Sequence, residues 1–146
     1  MTKAIWFDMD GTLADLYEIP NWLDYLLAND PFPYEAATPM VNMSWLAHLL
    51  NCLQADGWHI GIVSWLSKNS DRQYDEAVTN AKLEWLNRHL WNVTWDEIHI
   101  VPYGTPKQEV VSISGILFDD EMPNRNNWNG TAYDVQNILE ILEGLL

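Results

Sequence analysis

The stretch from Ile5 to Asp15 constrains the fold of this chain more than any other. Apolar residues 5–7 run directly into two carboxylates, Asp8 and Asp10, and a Gly-Thr pair follows at once. This pattern predicts a buried β-strand that ends abruptly in a polar turn. Because alternate residues of an extended chain share a face, the two carboxylates should project the same way. Two crowded negative charges require a cation, a shared proton or another positive neighbour.

Strand-like and helix-like patterns alternate along the rest of the chain. Strands are expected near residues 4–7, 58–63, 98–101, 115–118 and 131–133, the first two of them buried. Helical spacing of apolar residues occupies the segments 20–29, 45–56, 70–90 and 134–146, with a short helix near 107. This alternation predicts an α/β fold with a mostly parallel sheet of about five strands, covered on both faces in a three-layer, Rossmann-like arrangement.

Capping residues and prolines predict where two helices start and where one long connection lies. Ser70 with Gln73 three residues later has the form of a capping box. Thr105 before Pro106 looks like an N-cap followed by a proline at the first helical position, which would put Lys107 in the first turn of a helix. The Pro-rich stretch 30–39 is expected to be a long irregular connection.

Composition limits the class of protein and its partners. The chain has 146 residues, of which 48% are hydrophobic, and this fits one compact domain spanning residues 1–146. A formal charge of −14 disfavours duplex nucleic acid and anionic membranes as partners. Cys52 is the only cysteine, and the apolar run before Asp8 is too short for a signal peptide or a membrane span. We therefore expect a soluble, cytoplasmic protein.

Polar residues follow three of the predicted strands at the point where each ends. Asp8 and Asp10 follow the first strand, Ser64 follows the second, and an Asp119-Asp120 pair follows the fourth. The carboxyl ends of parallel strands meet at one edge of a sheet, where open α/β sheets bind their ligands. The sequence therefore predicts a single site at this edge.

These residues resemble, in order and across nearly the whole chain, motifs I to IV of the haloacid dehalogenase (HAD) superfamily of phosphohydrolases. The motif residues are Asp8-Met9-Asp10-Gly11-Thr12, Ser64, Lys107 and Asp119-Asp120. The resemblance implies that Asp8 attacks phosphorus to form an aspartyl-phosphate, and that Asp10 is the general acid/base. It also implies a Mg²⁺ ion held by Asp8, by the main-chain carbonyl of Asp10 and by the acid of motif IV.

Within motif IV, Asp120 is favoured as the direct metal ligand, and Asp119 would act through water or orient Lys107. The reverse order of the two acids is the alternative. Ser64 and Lys107 would bind the phosphoryl oxygens, the lysine as a point charge. Repulsion from neighbouring carboxylates should raise the pKa of Asp10 towards neutrality, as a proton carrier requires.

Each of these residues also has an ordinary structural interpretation. The aspartates could cap turns, Ser64 could be a loop serine, and Lys107 a solvated lysine. Trp65, next to Ser64, could stack on a substrate ring or simply pack. Trp6, Trp58, Trp85 and Trp45 fall in strands or on helical apolar stripes and are expected to pack in the core.

The segment between motif I and motif II holds two predicted helices where one crossover helix would suffice, so residues 16–41 are a candidate minimal cap over the site. Motif I and the Asp-Asp motif IV are most similar to the 5′(3′)-deoxyribonucleotidase branch. The leading hypothesis is a Mg²⁺-dependent phosphomonoesterase. Its substrate would be a nucleotide, which would make it a 5′-nucleotidase, or another small phosphate ester. The alternatives are a slow or non-catalytic module that binds phosphorylated ligands, and a polynucleotide-end phosphatase.

Overall fold

The computed structural model describes residues 2–146. A parallel five-stranded sheet lies at its centre, with the strand order β3-β2-β1-β4-β5. The strands are β1 (Ala4–Phe7), β2 (His59–Trp65), β3 (Glu97–Val101), β4 (Ile116–Phe118) and β5 (Thr131–Tyr133). All four residues of β1 are buried, as expected for the middle strand of a covered parallel sheet.

Helices cover both faces of the sheet, which confirms the predicted α/β architecture. They are α1 (Trp22–Leu27), α2 (Phe32–Ala36), α3 (Met43–Ala55), α4 (Arg72–His89), α5 (Lys107–Val110), α6 (Met122–Asn126) and α7 (Ile138–Glu143), with a 3₁₀ turn at Leu16–Glu18. Ile5 and Phe7 pack with apolar residues of α3, α4 and α7. Trp6 points to the other face and packs with Trp128 and Val110. None of the helices in residues 2–146 is long and apolar enough to cross a bilayer.

Several local expectations are wrong. The Pro-rich stretch is not irregular, because α2 forms within it. The capping residue of α4 is Asp71, whose carboxylate accepts from the amide of Tyr74 at 2.7 Å, while the Ser70 hydroxyl bonds the Ser67 carbonyl and Asp75. Thr105 also does not cap its helix.

The hydroxyl of Thr105 bonds the carbonyl of Pro102 at 2.6 Å, and Pro106 takes the N-cap position. Strand β2 continues through Ser64 to Trp65. Of the four tryptophans expected in the core, Trp6, Trp58 and Trp85 are buried, but Trp45 is 43% exposed. Its indole lies at the surface and donates to Glu143 of α7 at 2.7 Å.

The two halves of the candidate cap are attached differently. Helix α2 is fastened to α4, since Trp85 Nε1 donates to the Ala37 carbonyl at 2.7 Å and Arg88 donates to the Glu35 carbonyl at 3.2 Å. Helix α1, in contrast, has no fully buried residue. Within residues 16–41, α2 is therefore held against α4 by hydrogen bonds, whereas the apolar helix α1 is more exposed.

Candidate active site

The register of the sheet brings the acids of β1 and β4 together. Phe7 pairs with Phe118, so the residues that follow them lie side by side, and the amide of Asp8 donates to the Phe118 carbonyl at 3.0 Å. Asp8, Asp119 and Asp120 each offer a carboxylate oxygen, and these oxygens all lie within 4.8 Å of one another. The predicted cluster of acids therefore forms at the carboxyl edge of the sheet.

A tight turn after β1 aims these side chains. The carbonyl of Met9 accepts from the amides of residues 12, 13 and 14. Gly11 has a φ of +78°, and a methyl group on its Cα would collide with the Asp120 carboxylate. Thr12 Oγ1 donates to Asp8 Oδ2 at 3.1 Å. The Gly-Thr pair of the sequence motif thus shapes the turn and fixes one oxygen of Asp8.

Lys107 reaches this cluster from the start of α5. Its Nζ donates to Asp8 Oδ1 at 2.9 Å and to Asp119 Oδ2 at 2.7 Å, and its side chain is 2% exposed. Burial opposes the charged form, but the two carboxylates outweigh it and raise the pKa of Lys107. Lys107 is therefore a permanent cation inside the site rather than a solvated surface lysine.

The two acids of motif IV have different surroundings. Asp119 is fully buried and accepts from Lys107, from the Glu121 amide at 2.9 Å and from Asn124 Nδ2 at 3.2 Å. Asp120 lines a cavity instead. Asp119 is saturated with donors, whereas Asp120 faces the space where a ligand can enter.

The electrostatics of the cluster favour a bound cation. Burial, together with repulsion from Asp8, raises the pKa of both Asp119 and Asp120 above the ordinary aspartate range. A divalent cation among the three carboxylates would relieve this repulsion. Carboxylate oxygens are hard ligands of the kind that Mg²⁺ prefers, so the donor set fits that ion better than zinc.

A cavity of about 710 Å³ opens beside the acids. Its walls are largely aromatic or aliphatic: Leu16, Tyr17, Trp22, Leu23, Leu26, Leu27, Tyr34, Trp65, Leu66, Tyr74 and Tyr103. Trp65 lies in this wall, with its Nε1 donating to the Thr105 carbonyl at 2.7 Å and its ring 5.4 Å from Lys107 Nζ. Helix α1 supplies four of the wall residues, so the candidate cap forms one side of the cavity.

Lys82 of α4 is a site residue that the sequence interpretation missed. It is 1% exposed, and its Nζ donates to Asp10 Oδ2 at 2.9 Å and to Ser64 Oγ at 2.7 Å. A signal was present, because Lys82 stands four residues after Val78 and three before Trp85, on the stripe that helical spacing assigns to the core. A lysine on such a stripe is buried only when it has a partner.

Asp10 and Ser64 both lie against this lysine. Burial raises the pKa of Asp10, an effect that Lys82 opposes and Asp8 reinforces, so the direction is the one predicted. Ser64 is fully buried. It is not among the described residues that line the cavity, whereas Ser67, three residues further on, is.

No family model and no curated protein matches this chain. Several solved structures are similar to it. D,D-heptose 1,7-bisphosphate phosphatase from Burkholderia thailandensis superposes with a TM-score of 0.57 at 11% sequence identity, covering 99% of this chain and 98% of that one. The D,D-heptose 1,7-bisphosphate phosphatase from B. bronchiseptica, complexed with magnesium and phosphate, gives a TM-score of 0.53 at 15% identity with the same coverage. At such identities the similarity shows the fold alone, which is the Rossmann-like α/β arrangement with a parallel sheet that the sequence predicted.

Proposed function

We propose that this protein is a Mg²⁺-dependent phosphomonoesterase that acts through an aspartyl-phosphate on Asp8. The observation that carries the proposal is the position of Lys107, whose ammonium joins Asp8 to Asp119 beside the cavity. A buried cation next to a nucleophilic carboxylate and an acid cluster is what transfer of an anionic phosphoryl group requires. The two phosphatases of the same fold, one of them complexed with magnesium and phosphate, support it.

The reaction would proceed in two displacements at phosphorus. An oxygen of Asp8 attacks, the bond from phosphorus to the ester oxygen breaks, and Asp10 gives its proton to the departing alcohol. Water then attacks the phosphoryl group, Asp10 takes the proton from that water, and the Asp8 carboxylate and inorganic phosphate are released. A pKa of Asp10 raised by burial suits both proton transfers.

Asp8, the main-chain carbonyl of Asp10, and Asp120 would hold the Mg²⁺ ion. When bound, the ion offsets the repulsion between the Asp8 carboxylate and the phosphoryl oxygens and polarises those oxygens. Asp120 is proposed as the direct ligand because it faces the cavity, while Asp119 is held by Lys107 and Asn124. Lys107, which lines the cavity, is proposed to bind the phosphoryl group, and Trp65 the rest of the substrate. Ser64 is buried, accepts from Lys82 and is not among the described lining residues, so a direct contact from its hydroxyl to the phosphoryl group is not proposed.

The cavity favours a substrate with one phosphate and an aromatic group, such as a mononucleotide. Its apolar wall suits a flat ring. Lys68 and Lys107 are the lysines among the described residues that line it, and Lys107 is already held by two carboxylates. A second phosphate group would thus have only Lys68 as a free lysine partner among the described lining residues. We therefore do not propose a bisphosphate, the substrate named for the two similar enzymes, as the substrate of this protein.

Phosphate release over a small substrate panel tests the proposal. The panel is a 5′-mononucleotide, a sugar monophosphate, a sugar bisphosphate and a 5′-phosphorylated oligonucleotide, each with Mg²⁺ and with EDTA. The mononucleotide should be hydrolysed fastest, and EDTA should abolish release. No release from any substrate despite Mg²⁺ binding would contradict the proposal and favour a phospholigand-binding module. A salt-sensitive preference for the oligonucleotide would favour a polynucleotide-end phosphatase.

A further inference from the structure

Lys82 has every hydrogen of its ammonium group engaged inside the protein. Besides Asp10 Oδ2 and Ser64 Oγ, its Nζ donates to the main-chain carbonyl of Trp65 at 2.7 Å. The ring of Tyr34, from α2 of the candidate cap, lies over the same ammonium at 5.3 Å from its centroid. One side chain of α4 therefore joins the turn after β1, the end of β2 and the cap.

This lysine cannot act as the phosphate ligand. It is 1% exposed, its three donors are used, and it is not among the described residues that line the cavity. Stability alone does not explain its presence either. Burying an ammonium carries a desolvation cost, and an apolar side chain of similar volume often fills such a position at equal or greater stability.

We propose that Lys82 is a positioning residue that aims Asp10 at the leaving oxygen of the substrate. Lys82 holds Oδ2 of Asp10, which leaves Oδ1 for proton transfer; within residues 2–146, Oδ1 has no hydrogen-bond partner. The same ammonium occupies a lone pair of the Ser64 hydroxyl, so the hydroxyl proton points to another acceptor. This inference rests on the proposed function, because it assigns Lys82 a role in that reaction.

A comparison of leaving groups tests the role directly. An alkyl phosphate needs a proton on its leaving oxygen, whereas 4-nitrophenyl phosphate, with a far more acidic leaving group, needs little help. In Lys82→Met, kcat/KM, which reports the steps up to departure of the leaving group, should fall by about 100-fold on the alkyl phosphate, the lower end of what a general acid contributes, with less than about tenfold loss on 4-nitrophenyl phosphate. The comparison uses kcat/KM because hydrolysis of the aspartyl-phosphate, which also needs Asp10, is the same step for both substrates and contributes to kcat. Equal losses in kcat/KM on both substrates would overturn the proposal.

The matched control is Arg88→Met, which removes an exposed cation of the same helix that bonds the Glu35 carbonyl. Its rates on both substrates should stay within about twofold of the parent. A selective loss on the alkyl phosphate in this variant would show that any charge removed from α4 has the same effect, and would also overturn the proposal.

A second pair of variants decides the matter even if Lys82→Met fails to fold. Asp10→Asn and the double variant Asp10→Asn/Lys82→Met are compared on 4-nitrophenyl phosphate, since the double variant buries no unpaired charge. If Lys82 acts through Asp10, the two rates should agree within about twofold. A further loss of tenfold or more would give Lys82 a separate role. Absence of turnover in the parent protein would instead overturn the proposed function itself.

Discussion

The Nζ of Lys107 lies 2.9 Å from Oδ1 of Asp8, with both side chains almost fully buried. The other oxygen of Asp8 accepts from Thr12. Both oxygens are therefore fixed in direction before any ligand arrives. In the reaction proposed above, this arrangement would favour attack along one line and lower the cost of orienting the Asp8 carboxylate.

Removing this lysine should destabilise the protein. Lys107→Met leaves Asp8 and Asp119 buried without their cation, so the free energy of unfolding should fall by about 3–5 kcal/mol. Mg²⁺ should restore part of the loss, because it supplies positive charge to the same carboxylates. Urea denaturation with and without Mg²⁺ measures both effects.

Lys3→Met is the matched control for this loss. Lys3 forms an exposed ion pair with Asp56 at 3.9 Å, and such pairs contribute at most about 1 kcal/mol. Equal losses in the two variants would contradict the assignment of Lys107 as a buried structural and electrostatic centre.

Gly11→Ala should abolish activity and weaken Mg²⁺ binding. Gly11 has positive φ and no room for a methyl group beside Asp120. Gly57 provides the control, because its φ is +94° but nothing lies within 4 Å of the added methyl. Gly57→Ala should lower the melting temperature through backbone strain and leave Mg²⁺ binding intact. Calorimetric titration with Mg²⁺ distinguishes the two, and equal Mg²⁺ affinities would refute the steric account.

Leu27→Ser tests whether α1 binds the substrate. Leu27 is 76% exposed and lines the cavity, so the change should raise KM for a mononucleotide several-fold with little change in melting temperature. Trp91→Ser changes a residue of similar exposure, 74%, that is not among the described lining residues, and should leave KM unaltered. An unchanged KM in Leu27→Ser would exclude α1 from the binding site.

Glu97 should make stability depend on pH well away from the active site. Burial would raise its pKa, but hydrogen bonds from Ser112, His99 and His59 outweigh burial and lower the pKa from 4.5 to about 2. The stabilisation is therefore complete above pH 4.5 and is lost as the pH falls towards 2. Relative to the parent, Glu97→Gln should be less stable at pH 7, with the difference shrinking in acid.

Melting curves at pH 7 and pH 3 measure the effect on Glu97→Gln. Glu84→Gln, a change at an exposed position of α4, serves as the control and should follow the parent at both values. A Glu97→Gln deficit of the same size at both pH values would contradict the hydrogen-bonded account.

Much of the fold was predictable because hydrophobic patterning reports burial directly. The strands around Phe7 and Phe118 follow from continuous apolar runs, and the acids after them follow from parallel topology. Among the expectations that failed were local hydrogen bonds. Asp71 rather than Ser70 caps α4, since two polar residues in succession offer the same chemistry and backbone geometry chooses between them.

Lys82 was missed for a different physical reason. A lysine at a core position of a helix is compatible with helix formation. The sequence around Lys82 does not reveal which carboxylate of the folded protein will contact its ammonium group. Asp10 is 72 residues away along the chain, and the two meet only when α4 packs against the sheet. Contacts of this kind depend on tertiary structure, whereas strand-end acids can be located from local pattern alone.

Covalent capture of the phosphoryl group tests whether the Asp8 carboxylate is the nucleophile. The protein is mixed with Mg²⁺ and a substrate it hydrolyses, quenched in acid within the first turnover, and digested for peptide mass spectrometry. One phosphoryl group is expected on Asp8, and both this group and phosphate release should be lost in Asp8→Asn. Undiminished phosphate release by Asp8→Asn, or a phosphoryl group on another residue, would contradict this role of Asp8.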